Sequence, residues 1–222
     1  MDKESIIKSQ KQLQEQLIKS NKNLAFEYLK KHNYVILQKI GHEYFTETFT
    51  AFQSNNNHIV AIKKLIDMNN KEYLDAFTKE KNLLKTIKKN KYALQIIDEL
   101  EDKNLDLAAI IVEHCDCDLA EILDLNKLTF VQLIALAFQL LNGLLVFQLN
   151  GIINGGIKLQ GILYNQQKNM FLLADFGQSQ ISNQTLLQSS GSVFSFFQFV
   201  NQYKFYRINI LKEISVIDHL KF

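Results

Sequence analysis

Three short runs rich in β-branched and aromatic residues follow one another between Tyr34 and Leu65. They read YVILQKIG, YFTETFTAFQ and, after the Asn-rich turn SNNN, HIVAIKKL. Such segments around polar turns predict a meander of antiparallel strands. From Asn70 to about Asn90 the period becomes helical, with Leu74, Phe77, Leu83, Leu84 and Ile87 set among lysines, so one helix crosses the sheet. Residues 93–101 and 107–112 predict two further strands, the second (LAAIIV) apolar at every position and therefore buried on both faces. Residues 118–125 suit a short helix, and Thr129 caps a long one that runs to about Leu149.

With 222 residues, 47% of them hydrophobic, the chain has material for one domain or two small lobes. A formal net charge of +2 gives no electrostatic basis for binding nucleic acid or a membrane, so neither is expected as a partner. Cys115 and Cys117, one residue apart, cannot make a disulfide framework, and the N-terminus lacks a signal segment; an intracellular, cytoplasmic protein is expected. The longest apolar stretch, Leu133 to Phe147, carries Gln139 and Asn142 and is shorter than the roughly 20 residues of a membrane span, which predicts a buried helix. Residues 1–33 are polar with Ile6, Leu13, Leu17 and Leu24 on one stripe, an amphipathic helical extension lying on the domain or on a partner.

The element order brings several short motifs into line. IGHEYFTETFTA precedes VAIK, which contains Ala61 and ends at Lys63; Glu80 follows in FTKEKNLLKTI; then come IIVEHCDCDLAEIL, the stretch GIINGGIKLQGIL at 151–163, and DFG at 175–177. Each is weak alone, but in this order and spacing they resemble the protein kinases of Ser/Thr type. The resemblance implies an α+β, two-lobed protein-kinase-like fold, with an antiparallel-sheet N-lobe (34–113) carrying one αC-type helix. An incomplete helical C-lobe (114–190) and a divergent tail (191–222) follow.

The resemblance also assigns roles. Gly41 and Phe45 belong to the Gly-rich loop over ATP phosphates, and Lys63, paired with Glu80, holds those phosphates. Ala61, Val112, Glu113 and Cys115 surround the adenine, Asp175 holds Mg²⁺, and Lys158 lies near the γ-phosphate. Read from the residues alone, the alternatives are a solvated strand lysine at Lys63 and a solvated helix charge at Glu80, over which the surrounding motifs favour the pair, and Phe45 is equally a packing residue.

Two departures bear on activity. Where the loop pattern has three glycines, this chain has Gly41, Glu43 and Thr46; a Cβ obstructs phosphate and a carboxylate repels it, so the phosphate grip is expected to be weak. In the catalytic loop Gly156 stands at the position of the catalytic Asp and Gly161 at that of the metal-binding Asn. Glycine cannot accept or orient a substrate hydroxyl, and no Asp or Glu lies between Asp124 and Asp175 to substitute. A pseudokinase that binds protein partners is therefore expected, with ATP and Mg²⁺ as weak ligands; a weakly active kinase and a truncated, non-functional fragment are the alternatives. The run His114 to Asp118 invites a zinc reading, but the other histidines are scattered singly and no tetrahedral set forms. Ile210, Ile214, Ile217 and Leu220 recur at helical spacing and predict a terminal helix packed on residues 131–147.

Overall fold

In the computed structural model the residues described are 23–124, 128–153, 157–174, 176 and 180–181. They divide into two compact units, one formed by residues up to Thr78 with Ile96–His114, the other by Lys79–Gln95 with the chain from Cys115 onward.

The first unit is built on a five-stranded sheet in the order β1-β2-β3-β5-β4, with every neighbouring pair antiparallel. Its strands are β1 (Tyr34–His42), β2 (Thr46–Gln53), β3 (His58–Leu65), β4 (Ile96–Asp102) and β5 (Leu107–Glu113). The first three match the predicted meander, and Asn57 in its Asn-rich turn takes the left-handed conformation (φ 55°) that Asn tolerates. β5 is buried at every position, as its unbroken apolar run requires. One face of the sheet is closed by helix α1 (residues 23–31): Ala25 and Leu29 pack with Ala51, Val60, Ile62, Leu107, Ala109 and Ile111. Leu24, which the sequence placed on the apolar stripe, is 51% exposed; the buried face lies one residue further on. The rest of that stripe, Ile6 to Leu17, lies outside the described residues.

Helix α2 (Lys71–Thr86) buries Phe77, Glu80, Leu83 and Leu84, and its C-terminal half belongs to the second unit. The segment after it does not enter β4 directly. Leu173 donates its backbone N–H to Tyr92 and accepts from Leu94, so Ala93 bridges to Leu173 within the second unit and β4 begins only at Ile96, three residues later than the apolar pattern predicted.

The second unit contains α3 (Leu119–Asp124), α4 (Phe130–Leu149), a sheet ordered β6-β8-β9 from Cys117–Asp118, Ile162–Asn165 and Met170–Leu173, and a small ladder pairing β7 (Ile152–Ile153) with β10 (Gln180–Ile181). A capping box opens α4: Gln132 N–H donates to the Thr129 hydroxyl oxygen while the Gln132 side chain accepts from the Thr129 N–H. Gly143 lets the helix approach closely, since a Cβ there would lie 2.8 Å from Leu173 Cδ1. Gln139 adds a link by accepting the Phe171 N–H at 2.8 Å.

The sequence predicted a wholly buried α4, and here the structure differs. Leu136, Leu140, Leu144 and Phe147 are buried, but Val131, Ile134, Phe138, Leu141, Leu145 and Leu149 are exposed. One helix face is about as much as a neighbouring sheet can cover at 3.6 residues per turn. By length and composition alone, Val131–Leu149 could cross a membrane. The segment predicted to cover it, residues 205–222, lies outside the described residues.

Candidate functional site

The sheet register of the first unit gathers most of the predicted nucleotide residues. Gly41 pairs with Thr48, Thr48 with Lys63, and Lys63 with Ile110, which makes one row across four strands. In the next same-facing row Ala61 pairs with Val112. Directly paired residues share a face and alternate residues of a strand return to it, so Ala61, Lys63, Ile110 and Val112 line the face opposite α1. All four are buried, and Glu113, at the end of β5, is buried too. A solvated strand lysine is thereby excluded at Lys63. Gly41 is not demanded by local packing, because a Cβ there would sit 3.4 Å from Thr48 Cβ, an ordinary contact.

The loop between β1 and β2 is held by its own side chains. Glu43 Oε2 lies 3.3 Å from Lys63 Nζ, and the same oxygen accepts the Thr46 hydroxyl at 3.2 Å. The Glu43 N–H donates to the Thr46 carbonyl at 2.8 Å, and Thr46 is fully buried. Half-buried Phe45 accepts the Ile66 N–H at 3.0 Å through its carbonyl, while the Tyr44 ring meets Tyr73 edge-on at 5.2 Å. The Tyr44 phenol is raised above its ordinary pKa by the Glu72 carboxylate and, after it, by Tyr73.

Sequence reasoning found Glu43 only as an obstacle to phosphate and missed that it engages the lysine. The signal lay in the register. The SNNN turn sets Thr46 opposite Leu65 and Thr48 opposite Lys63, which leaves the loop carboxylate within reach of that ammonium.

In the second unit Glu80 is 3% exposed, which rules out a solvated helix charge. Lys158 is exposed and precedes the 3-10 turn Leu159–Gly161. That turn is tied into the unit: Gly161 N–H donates to the Lys158 carbonyl at 3.0 Å, and its carbonyl accepts the Ala174 N–H at 2.9 Å. Ile152, Ile162 and Phe176 are buried, and the Phe176 ring lies 5.5 Å from that of Phe147 on α4. Gly156 and Asp175 lie outside the described residues.

The His114–Asp118 run serves the backbone. Asp116 accepts the Gln166 N–H at 2.7 Å, and Asp118 caps α3 by accepting the Glu121 N–H at 2.9 Å. Cys115 and Cys117 form no disulfide, and among the described residues no group of three or more His, Cys, Asp and Glu is arranged to hold a metal.

The phosphate end of this arrangement sets a like charge against a nucleoside triphosphate. A polyphosphate needs the Lys63 ammonium, and a carboxylate of the chain already lies against it; two anions on one lysine repel. The apolar wall of Ala61, Ile110 and Val112 carries no such conflict.

Comparison with known proteins agrees with the fold. The family model described as "Protein kinase domain" matches residues 34–197. The serine/threonine-protein kinase dst4 of Dictyostelium discoideum is 31% identical over 152 residues, which cover 66% of this chain and 30% of that protein. The cell division control protein 2 homolog C of Antirrhinum majus is 22% identical over 156 residues, covering 65% of this chain and 51% of that protein. The matched region thus spans about half or less of each of these relatives. With its antiparallel strands and αC-type helix in the family's order, and most of its length matched, the chain belongs to the protein kinase domain family.

Proposed function

We propose that this chain is a pseudokinase of Ser/Thr type, which acts as a scaffold or regulatory module for a protein partner and does not transfer phosphate. The observation that carries this reading is Gly156 at the position of the catalytic Asp, in a stretch without any Asp or Glu from 125 to 174. Phosphoryl transfer rests on positioning and charge neutralisation, and the base position orients the accepting hydroxyl. A hydrogen atom in place of that carboxylate leaves the hydroxyl unheld, and Gly161 leaves the metal position without its Asn.

ATP and Mg²⁺ are at most weak ligands on this reading, with Asp175 the retained metal carboxylate and Ala61, Val112, Glu113 and Cys115 the adenine surroundings. Cys115 and Cys117, which make no disulfide, suit a reducing cytoplasm.

The test is transfer of labelled phosphate from ATP to a mixed Ser/Thr peptide pool. Wild-type protein is expected to stay at the level of an enzyme-free control. Transfer that is clearly above that level and disappears in Asp175→Ala would establish the active alternative, with Lys63, Glu80, Asp175 and Lys158 as its working residues.

A further inference from the structure

We infer that Glu43 is an internal occupant of the phosphate position, a carboxylate that holds Lys63 in place of a nucleotide and sets how weakly nucleotides bind. The inference rests on reading Lys63 as the phosphate-holding lysine and extends that reading to what now holds it.

The geometry supports occupancy beyond a chance surface pair. Glu43 Oε2 receives both the Lys63 ammonium at 3.3 Å and the Thr46 hydroxyl at 3.2 Å. Thr46 is fully buried and fixed by the β2–β3 register opposite Leu65, so the hydroxyl that orients the carboxylate belongs to the rigid sheet. The Glu43 backbone closes on Thr46, the Phe45 carbonyl is tied to Ile66, and Tyr44 leans on Tyr73, so each residue of the turn has a partner. Glu43 and Thr46 stand at two of the three positions where the loop pattern has glycine, and the two side chains act on each other. The Lys63 side chain is only 11% exposed, which makes a neighbouring anion valuable to it, whereas Glu43 at 56% stays open to solvent and can swing away.

Two consequences follow. The closed loop and its surface persist without nucleotide, as a scaffold requires. Any polyphosphate must displace Glu43 and then bind beside its charge.

The experiment is nucleotide titration of the full chain, followed by thermal shift and by fluorescence of a labelled ATP, with and without Mg²⁺, in wild type, Glu43→Gln, Glu43→Gly, Lys63→Ala and the double variant Glu43→Gln/Lys63→Ala. Removing the carboxylate is expected to tighten ATP binding by about tenfold, the effect of ~1.4 kcal/mol. Inorganic tripolyphosphate should compete with the labelled ATP in Glu43→Gln, which shows that the gain comes from the phosphate end. The double variant should lose the gain. Equal affinity in wild type and both Glu43 variants, including no binding in any of them, overturns the inference, as does a gain that survives Lys63→Ala. Glu43→Gly guards against a special effect of the amide. Phosphate transfer by the wild type would defeat the pseudokinase reading and leave this result standing; an absent gain would do the reverse.

Discussion

The β1–β2 loop and the catalytic turn have both departed from the kinase pattern, in opposite ways. In the loop, small residues have been replaced by larger ones that bind each other: Glu43 takes Lys63 and Thr46 orients Glu43. In the turn, polar residues have been replaced by glycine, while Ile152, Ile162 and Phe176 stay buried and Gly161 stays hydrogen-bonded to Lys158 and Ala174. On the proposed reading one site has been filled and the other emptied, while the described residues around each stay packed and hydrogen-bonded. The difference teaches that apolar packing and backbone hydrogen bonds carry the fold at both places. On the pseudokinase reading, residues that handle substrate can therefore be lost, or turned to another use, without unfolding it.

The comparison is broken most easily in the second unit's core. Phe147→Ala removes the ring against which Phe176 packs, in a fully buried place, and should cost about 3–5 kcal/mol in a urea melt. Lys158→Ala, at the exposed start of the 3-10 turn Leu159–Gly161, should change stability by no more than ~0.5 kcal/mol. Comparable losses from the two would contradict a scaffold that stands on its buried core and not on its exposed side chains.

The first unit offers a polar counterpart. Buried Tyr34 donates its hydroxyl to Asp98 at 2.9 Å and accepts from Gln53 at 3.3 Å. Burial first, and the Asp98 carboxylate second, push its pKa up to about 12 from 10.0. A group whose folded pKa is raised adds stability that is complete below its unfolded pKa and lost as pH climbs through the folded one. Stability should therefore fall between pH 10 and about pH 12, and Tyr34→Phe should flatten that fall. At neutral pH the variant should cost about 1 kcal/mol. An unchanged alkaline limb in chemical denaturation would remove Tyr34 from the account.

Much of the fold was legible because its signals are local. The three runs of 34–65 became β1–β3 within a residue or two, and LAAIIV became a strand buried on both faces. Thr129 was legible as a cap because capping needs only its neighbour three residues on. Thr129→Ala should accordingly cost about 1 kcal/mol, seen as a lower melting temperature.

What was not legible depends on partners distant in sequence. Ala93 looked like the start of β4, but Leu173 draws it into the second unit. Leu24 looked buried until α1 met the sheet through Ala25 and Leu29. In the candidate site, the Lys63 row was implied by strand order, whereas the use of Glu43 as its partner needed the register. Gly41 gives the smallest effect: Gly41→Ala meets only Thr48 at an ordinary distance and should move stability by less than ~0.5 kcal/mol. A large loss there would mean the loop depends on glycine after all.

The central claim is that this chain keeps a kinase scaffold without kinase chemistry, and the chain's own serines and threonines test it most directly. Intact-protein mass spectrometry after long incubation with millimolar ATP and Mg²⁺, for wild type and Glu43→Gln side by side, offers the acceptor hydroxyls at high local concentration. No added phosphate in either protein is the predicted result. Phosphate gained by Glu43→Gln or by wild type, and absent when Asp175→Ala is added, would contradict it.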